Sequence, residues 1–229
     1  MTIKDNINKV FEEIEDAKKR SAYSQDVKLI AVSKMHSIEE IMEAYNLGIR
    51  DFGENKVQEL KEKIPKLPND INFHMIGNLQ TNKVKYIYDK VVLIQSVDNL
   101  KLLSEIDKRS KKDDIKANVL IQVNISKEPQ KGGVDPLKIM PFIEKSIDFD
   151  NIKVKGLMGM APLTDNEEVI RTCFRNLYNI REEIKKMNYK EIDMAYLSMG
   201  MSGDFKIAIE EGSNMIRVGT KIFGKRNYY

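Results

Sequence analysis

Lys34 is the residue of this 229-residue chain whose position most directly suggests chemistry. It follows an apolar run, residues 27–33, that has the length and composition of a strand buried on both faces. A lysine at the end of such a strand is partly desolvated yet accessible, which favours loss of the ammonium proton and attack by the amine. Taken alone, the stretch is explained more simply by a lysine whose side chain extends to solvent.

Two later loops combine small residues with hydroxyl groups. Residues 197–203 lead into a predicted helix, and residues 218–220 repeat the arrangement near the C-terminus. Backbone N–H groups at a helix start, together with Ser and Thr hydroxyls, bind phosphate. Either loop alone is more simply a helix cap or a tight turn, but the two together favour a phosphate site. The candidate residues on these loops are Ser198, Met199, Ser202, Gly219 and Thr220.

Eight predicted strands alternate with helical patterns along the chain. The strands are residues 27–33, 49–52, 71–76, 91–95, 117–125, 152–158, 192–197 and 214–218. This alternation, preceded by a helical segment from Ile3, predicts an α/β fold: a single (β/α)8 TIM barrel over residues 1–229 with an extra N-terminal helix. The alternative is a doubly wound open sheet, which usually has a Gly-rich turn where this chain has Lys34-Met35-His36.

Helix boundaries can also be predicted from capping residues. Ser37 and Glu40 form a capping box, and Thr164 with Glu167 suggests a second one. Asp98 is a candidate N-cap for another helix. Pro141 lies inside a helical pattern, so we expect a kink or a later helix start there.

The carboxyl ends of the strands would form the mouth of such a barrel, where active sites lie. These ends carry Lys34, Asn55, His74, Gly77, Ser96, Asn124, Met158, Ser198 and Arg217. The set contains no carboxylate pair, so acid–base hydrolysis has little support. A lysine facing a phosphate site predicts a phosphorylated aldehyde as the ligand. Pyridoxal 5′-phosphate (PLP) is one candidate, and a phosphosugar is the other.

Several short stretches form a specific combination, although none of them is specific alone. They are Ala31-Val32-Ser33-Lys34, Phe52-Gly53-Glu54-Asn55, His74-Met75-Ile76-Gly77, Leu79-Gln80-Thr81-Asn82-Lys83, Val123-Asn124-Ile125, Gly156-Leu157-Met158, Leu197-Ser198-Met199-Gly200-Met201-Ser202 and residues 217–224. In this combination the chain resembles the pyridoxal phosphate homeostasis protein family, over about residues 27–226.

The resemblance implies a fold-type III PLP-binding barrel like the N-terminal domain of alanine racemases. Lys34 would carry the cofactor as an internal aldimine, and Arg217 would face the pyridine nitrogen. Asn55 would lie close to the cofactor, and His74 would form part of the wall. The residues implied to hold the phosphate are Ser198, Gly219 and Thr220.

The function implied by the resemblance is intracellular homeostasis of PLP, by buffering or delivery. Expected partners are PLP, other B6 vitamers and apo-enzymes that require PLP. An arginine accepts no hydrogen bond, so Arg217 would leave the pyridine nitrogen unprotonated and weaken the ring as an electron sink. We therefore expect no robust turnover and name no catalytic residue.

Three other functions are kept as alternatives. The first is a PLP-dependent amino-acid racemase or related enzyme, although racemases of this fold need a second base from a further domain, for which the chain has no room after its eighth unit. The second is a phosphosugar enzyme without PLP. The third and least favoured is a purely structural barrel.

Composition excludes several other classes. The 38 basic and 35 acidic residues are interspersed and give a net charge of +3, so nucleic-acid binding has no support. Cys173 is the single cysteine, and His36 and His74 lie outside any metal-ligand spacing, so neither a disulfide nor a metal site is expected. With no signal peptide and no membrane-spanning run, we expect a cytoplasmic protein, and we favour a monomer.

Overall fold

The computed structural model describes residues 2–126, 128 and 131–224. Within these residues, eight parallel strands close into a barrel in the order in which they occur in the sequence. They are β1 (Lys28–Val32), β2 (Asp51–Glu54), β3 (Asn72–Met75), β4 (Leu93–Val97), β5 (Ala117–Val123), β6 (Ile152–Gly159), β7 (Ile192–Ser198) and β8 (Met215–Val218). The barrel closes where β1 pairs with β8, with Ala31 beside Val218.

Helices surround this barrel. The α-helices in the same part of the chain are α1 (Ile3–Arg20), α2 (Ile38–Asn46), α3 (Val57–Lys63), α4 (Leu100–Lys112), α5 (Ile139–Ser146), α6 (Glu167–Lys186), α7 (Phe205–Glu210) and α8 (Thr220–Phe223). Short 3-10 segments occur at Ile64–Lys66, Thr81–Tyr86 and Pro136–Lys138. The predicted (β/α)8 barrel with an additional N-terminal helix is confirmed. A single domain over all of residues 1–229 stays a prediction.

The apolar core has two layers. The larger layer lies between the sheet and the helices and includes Phe52, Phe174 and Phe205. The smaller layer fills the barrel interior and consists of Ile30, Leu93, Leu120, Met158 and Met215. Burial of this apolar surface is the main source of stability and gives the strand ends a rigid base.

Helix α1 packs against α7 and α8, close to one end of the predicted phosphate site. Its buried face consists of Ile7, Val10, Ile14 and Ala17. The side-chain amide of Asn6 also donates a hydrogen bond to the carbonyl of Ile222 in α8, at 2.9 Å. The additional N-terminal helix therefore supports the short helix that begins at Thr220.

Two of the predicted helix boundaries are confirmed. The capping box of Ser37 and Glu40 opens α2, with both reciprocal hydrogen bonds present. Pro141 belongs to the first turn of α5, which begins at Ile139 after a 3-10 segment. A proline is tolerated there because the first amide groups of a helix have no intrahelical partner. The later start that we expected is therefore the observed one.

Two other helix starts were predicted wrongly by one or two residues. The N-cap of α4 is Asn99 instead of Asp98, and its side chain accepts a hydrogen bond from the Leu102 amide. The N-cap of α6 is Asn166, and Thr164 instead accepts a hydrogen bond from the Asn166 amide. No helix in the described residues is long and apolar enough to cross a membrane.

A lysine, an arginine and two hydroxyl-bearing loops at the barrel mouth

Lys34 lies in the turn directly after β1 and is half-buried. Its side chain lines a cavity of about 260 Å³ at the carboxyl ends of the strands. This volume is just below the roughly 300–1,000 Å³ of most small-molecule sites, so it suits a small ligand. The other lining residues are Val32, Asn55, Ile76, Met160, Met201, Ser202, Gly203, Arg217, Gly219 and Thr220.

Six of the nine predicted site residues therefore line one cavity: Lys34, Asn55, Ser202, Arg217, Gly219 and Thr220. The other three do not line it. His74, Ser198 and Met199 are buried within the protein.

The two hydroxyl-bearing loops are in direct contact. The backbone N–H of Gly219 donates a hydrogen bond to the hydroxyl of Ser202, at 3.3 Å. A Cβ atom at Gly219 would lie 3.1 Å from the carbonyl oxygen of Val32, so the small residue allows β1 and the last loop to approach closely. A Cβ atom at Gly203 would meet no atom within 4 Å, so the backbone there borders open space.

Asp204 shapes the first of these loops. Its carboxylate accepts a hydrogen bond from the backbone N–H of Met201, at 2.6 Å. Burial raises the pKa of Asp204, and both this hydrogen bond and the nearby charge of Arg217 act in the opposite direction. Asp204 was not among the residues predicted for the site.

Arg217 is buried at the inner end of the cavity. Its Nη1 donates to the hydroxyl of Ser198 at 2.5 Å, and its Nη2 donates to the carbonyl of Gly159 at 3.0 Å. Burial lowers the pKa of Arg217 to about 10, an effect that the carboxylate of Asp204 partly offsets. The guanidinium therefore remains charged at neutral pH and can only donate hydrogen bonds.

Ser198 belongs to a chain of buried polar groups that crosses the barrel interior. Its hydroxyl donates to Gln95 Oε1 at 2.7 Å, and Gln95 Nε2 contacts His74 Nδ1 at 3.2 Å. Because an amide nitrogen only donates, His74 Nδ1 accepts, and His74 Nε2 carries the proton that it shares with Asp51 at 2.9 Å. Burial lowers the pKa of His74, which favours this neutral form.

Ser198 and His74 are both predicted to lie near the cofactor, and those contacts stay predictions. The Ser198 hydroxyl is engaged by Arg217 and Gln95, so it supports the guanidinium. His74 lies two hydrogen bonds beyond Ser198 and not on the cavity wall. Gln95 was missed. A polar residue within the apolar run of β4 was the available signal, but the sequence does not reveal its partners.

A second polar cluster lies behind Lys34. Glu54 is fully buried and accepts hydrogen bonds from the hydroxyl of Ser33 at 2.7 Å and from Lys63 Nζ at 2.8 Å. Burial raises the pKa of Glu54 to about 7, although the charge of Lys63 acts against this rise. Lys63 also contacts Glu59 at 2.9 Å. Its spacing of four residues from Glu59 was a signal that the sequence interpretation did not use.

Asn55 is positioned by a close backbone contact. A Cβ atom at Gly77 would lie 2.4 Å from the carbonyl oxygen of Asn55, so only glycine fits. The hydroxyl of Ser96 holds Gly77 from the other side, at 2.6 Å from its carbonyl oxygen. In the described residues, no group of three or more His, Cys, Asp or Glu side chains could hold a metal ion.

These features define a class: a closed (β/α)8 barrel with a lysine after β1 that faces two hydroxyl-bearing loops after β7 and β8. The family model of the alanine racemase N-terminal domain matches residues 6–227. A pyridoxal phosphate homeostasis protein of Aquifex aeolicus is 43% identical over 226 residues, with 98% of each chain covered. One from Haemophilus influenzae is 36% identical over 100% of this chain and 98% of its own. The chain belongs to the pyridoxal phosphate homeostasis protein family, within the alanine racemase N-terminal domain class.

Solved structures agree with this classification. PipY of Synechococcus elongatus, solved with PLP bound, has a TM-score of 0.84 and 30% identity, covering 97% of this chain and 100% of its own. An unknown protein from Bifidobacterium adolescentis has a TM-score of 0.92 and 35% identity, covering 96% of this chain and 94% of its own. An alanine racemase of Clostridium difficile shares the fold, with a TM-score of 0.77 and 14% identity, covering 98% of this chain and 58% of its own.

Proposed function

We propose that this chain binds PLP reversibly through Lys34 and buffers or delivers the cofactor inside the cell. The observation that carries the proposal is one small cavity lined by a lysine, an arginine and two hydroxyl-bearing loops. The family to which the chain belongs and the PLP-bound relative PipY support it.

The residues present fit the chemical groups of PLP. The amine of Lys34 would add to the aldehyde carbon, and water would leave as the Schiff base forms. Ser202, Gly219 and Thr220 would hold the phosphate through hydroxyl and backbone N–H groups, as phosphate sites at these barrel loops commonly do. Asn55 lines the same cavity and is a candidate contact.

Arg217 bears on whether the site could support carbanion chemistry on a bound amino acid. When bound, PLP can act as an electron sink that stabilises a carbanion on an amino acid. That ability depends on a protonated pyridine nitrogen, which an acidic side chain would favour and a guanidinium would oppose. A site with Arg217 beside the ring would therefore suit holding the cofactor better than using it.

We further propose that the recipients are apo-enzymes that require PLP and that the chain acts as a cytoplasmic monomer. Other B6 vitamers with an aldehyde would use the same lysine. The single cysteine, which excludes an internal disulfide, is compatible with a reducing compartment.

Absorbance spectroscopy of the purified full chain with PLP tests the proposal. Borohydride reduction followed by peptide mapping should locate the cofactor on Lys34. Lys34→Ala should lose the absorbance of the bound cofactor and keep its circular dichroism spectrum. Lys56→Ala, which changes an exposed lysine close to Asn55, is the matched control and should bind as the wild type does. Cofactor found on another lysine would overturn the proposal.

A further inference from the structure

Both neighbours of Lys34 in the chain are held by one largely buried ionic cluster, which consists of Glu54, Glu59 and Lys63. On the N-terminal side, Lys63 Nζ donates to the carbonyl oxygen of Ser33 at 2.9 Å, and the hydroxyl of Ser33 donates to Glu54. These contacts join the end of β1 to the ends of β2 and α3.

On the C-terminal side, the cluster holds Met35. The backbone N–H of Met35 donates to the carboxylate of Glu59 at 2.6 Å, and the same carboxylate oxygen accepts from Lys63. Met35 has a φ of 64°, which is unfavourable for a residue with a side chain. Such a conformation persists only where the surroundings enforce it. Here the Glu59 carboxylate holds the Met35 amide, and the backbone N–H of His36 donates to the carbonyl of Ser33 at 3.1 Å across the same turn.

The cluster has no direct contact with the cavity and reaches Lys34 through the backbone of this turn. None of Glu54, Glu59 and Lys63 lines the cavity that Lys34 lines. Burying charged groups at a strand end costs more free energy than packing apolar side chains there. The presence of this cluster therefore indicates a purpose other than stability. The half-buried Lys34 is the one residue between the two anchored neighbours, and its backbone is therefore fixed from both sides.

We propose that Glu59, acting with Lys63 and Glu54, is a positioning residue that fixes Lys34 for bond formation with the aldehyde of the cofactor. This inference rests on the proposed function. Bond formation requires the amine and the aldehyde carbon to be held in a narrow geometry. Loss of the Met35 anchor lets the turn leave its left-handed conformation, so the bond forms more slowly and the cofactor is retained less well.

Glu59→Ala tests the proposal with little risk to folding, because the residue lies on a partly exposed helix. In the protein without added PLP, we expect amide hydrogen exchange of Met35 to accelerate about tenfold or more. With PLP, the absorbance of the bound cofactor should appear more slowly, and its dissociation constant should rise by a similar factor. Glu59→Gln keeps an oxygen that can accept from Met35 and should restore most of both properties.

Glu62→Ala is the matched control, since Glu62 lies on the same helix and pairs with the exposed Lys66 away from the turn. It should leave exchange at Met35 and PLP binding unchanged. Exchange and binding in Glu59→Ala that equal those of Glu62→Ala would overturn the proposal. The exchange measurement needs no cofactor, so it tests the contact between Glu59 and Met35 by itself. Failure of PLP binding would instead appear in the absorbance of the wild-type protein.

Discussion

Arg217 of β8 donates a hydrogen bond from Nη1 to the hydroxyl of Ser198 of β7, at 2.5 Å. The Ser198 hydroxyl donates a hydrogen bond to Gln95, and the chain of donors continues through His74 to the carboxylate of Asp51. All donors in this chain point in one direction, which is the arrangement in which every buried group is satisfied. The orientation of Arg217 at the cavity is therefore set from inside the barrel.

Replacing Ser198 with alanine removes the hydroxyl that links Arg217 to Gln95. Arg217 loses an acceptor and Gln95 Oε1 loses its donor, both in a buried environment. We expect the free energy of unfolding to fall by about 1–3 kcal/mol. Denaturant unfolding measures this change. Ser104→Ala, at an exposed position of α4, is the control and should change the value by less than about 0.5 kcal/mol. Equal effects of the two substitutions would contradict the proposed support of Arg217.

The phosphate loops predict a difference between two vitamers. Thr220→Val and Ser202→Ala each remove a hydroxyl that we propose to contact the phosphate. Affinity for PLP should fall about tenfold in each variant, because hydrogen bonds to a charged group are among the stronger ones. Affinity for pyridoxal, which has the aldehyde but not the phosphate, should change little. Equilibrium titrations followed by absorbance measure the affinity for both ligands. An equal loss of affinity for PLP and for pyridoxal would contradict the proposal that these loops bind the phosphate.

Arg217 predicts slow carbanion chemistry at the loaded site. A guanidinium next to the pyridine nitrogen stays charged, since its pKa is lowered only to about 10. Amino acids labelled with deuterium at the α-carbon should therefore lose the label slowly in the presence of the PLP-loaded protein. Nuclear magnetic resonance spectra of a panel of amino acids report the loss. Rapid exchange with any of them would favour the racemase alternative over the carrier.

The sequence was sufficient to predict the barrel and most residues at its mouth. Buried strands appear as apolar runs, and in a parallel barrel the residues at or just after the carboxyl end of each run must lie at the same end of the barrel. That rule alone brings Lys34, Asn55 and Arg217 together, and the structure has all three lining one cavity. The phosphate loops were recognisable because hydroxyl and small residues follow the last two strands.

Side-chain pairing inside the barrel was not predictable in this way. Ser198 and Gln95 are 103 residues apart, and which groups meet depends on strand register and side-chain direction. The loop context of Ser198 predicted a phosphate contact and gave no sign of its hydrogen bond to Gln95. Helix starts failed for a related reason: Asp98 and Asn99 are chemically equivalent caps one residue apart, and only packing decides between them.

Substitution by alanine should lower the stability of the protein at Gly77 and leave it almost unchanged at Gly203. Gly77→Ala would place a methyl group 2.4 Å from the backbone oxygen of Asn55, so one of the two strand ends must move. We expect a loss of about 1–3 kcal/mol in unfolding free energy. Gly203→Ala meets no atom within 4 Å and should stay within about 0.5 kcal/mol of the wild type. Thermal or denaturant unfolding of the pair compares them directly, and equal stability would show that Asn55 is not held by this contact.

Glu54 predicts how the stability of the protein depends on pH. Its pKa is raised from 4.5 to about 7, chiefly because burial penalises the carboxylate. A raised pKa means that its stabilising contribution is complete below pH 4.5 and is lost as the pH rises towards 7. The loss is on the order of 3 kcal/mol, from about 1.4 kcal/mol for each pKa unit. His74 acts in the opposite direction, because its pKa is lowered by burial and its protonation destabilises the fold as the pH falls.

A difference measurement separates Glu54 from His74. Glu54→Gln keeps the shape of the side chain and cannot ionise, while His74 titrates equally in both proteins. The unfolding free energy of the wild type minus that of Glu54→Gln should therefore decrease between pH 4.5 and pH 7 and be flat above that range. Urea unfolding at several pH values gives this difference curve. A curve that is flat throughout would mean that Glu54 has the same pKa in the folded protein as in the unfolded chain, with Lys63 fully offsetting the cost of burial.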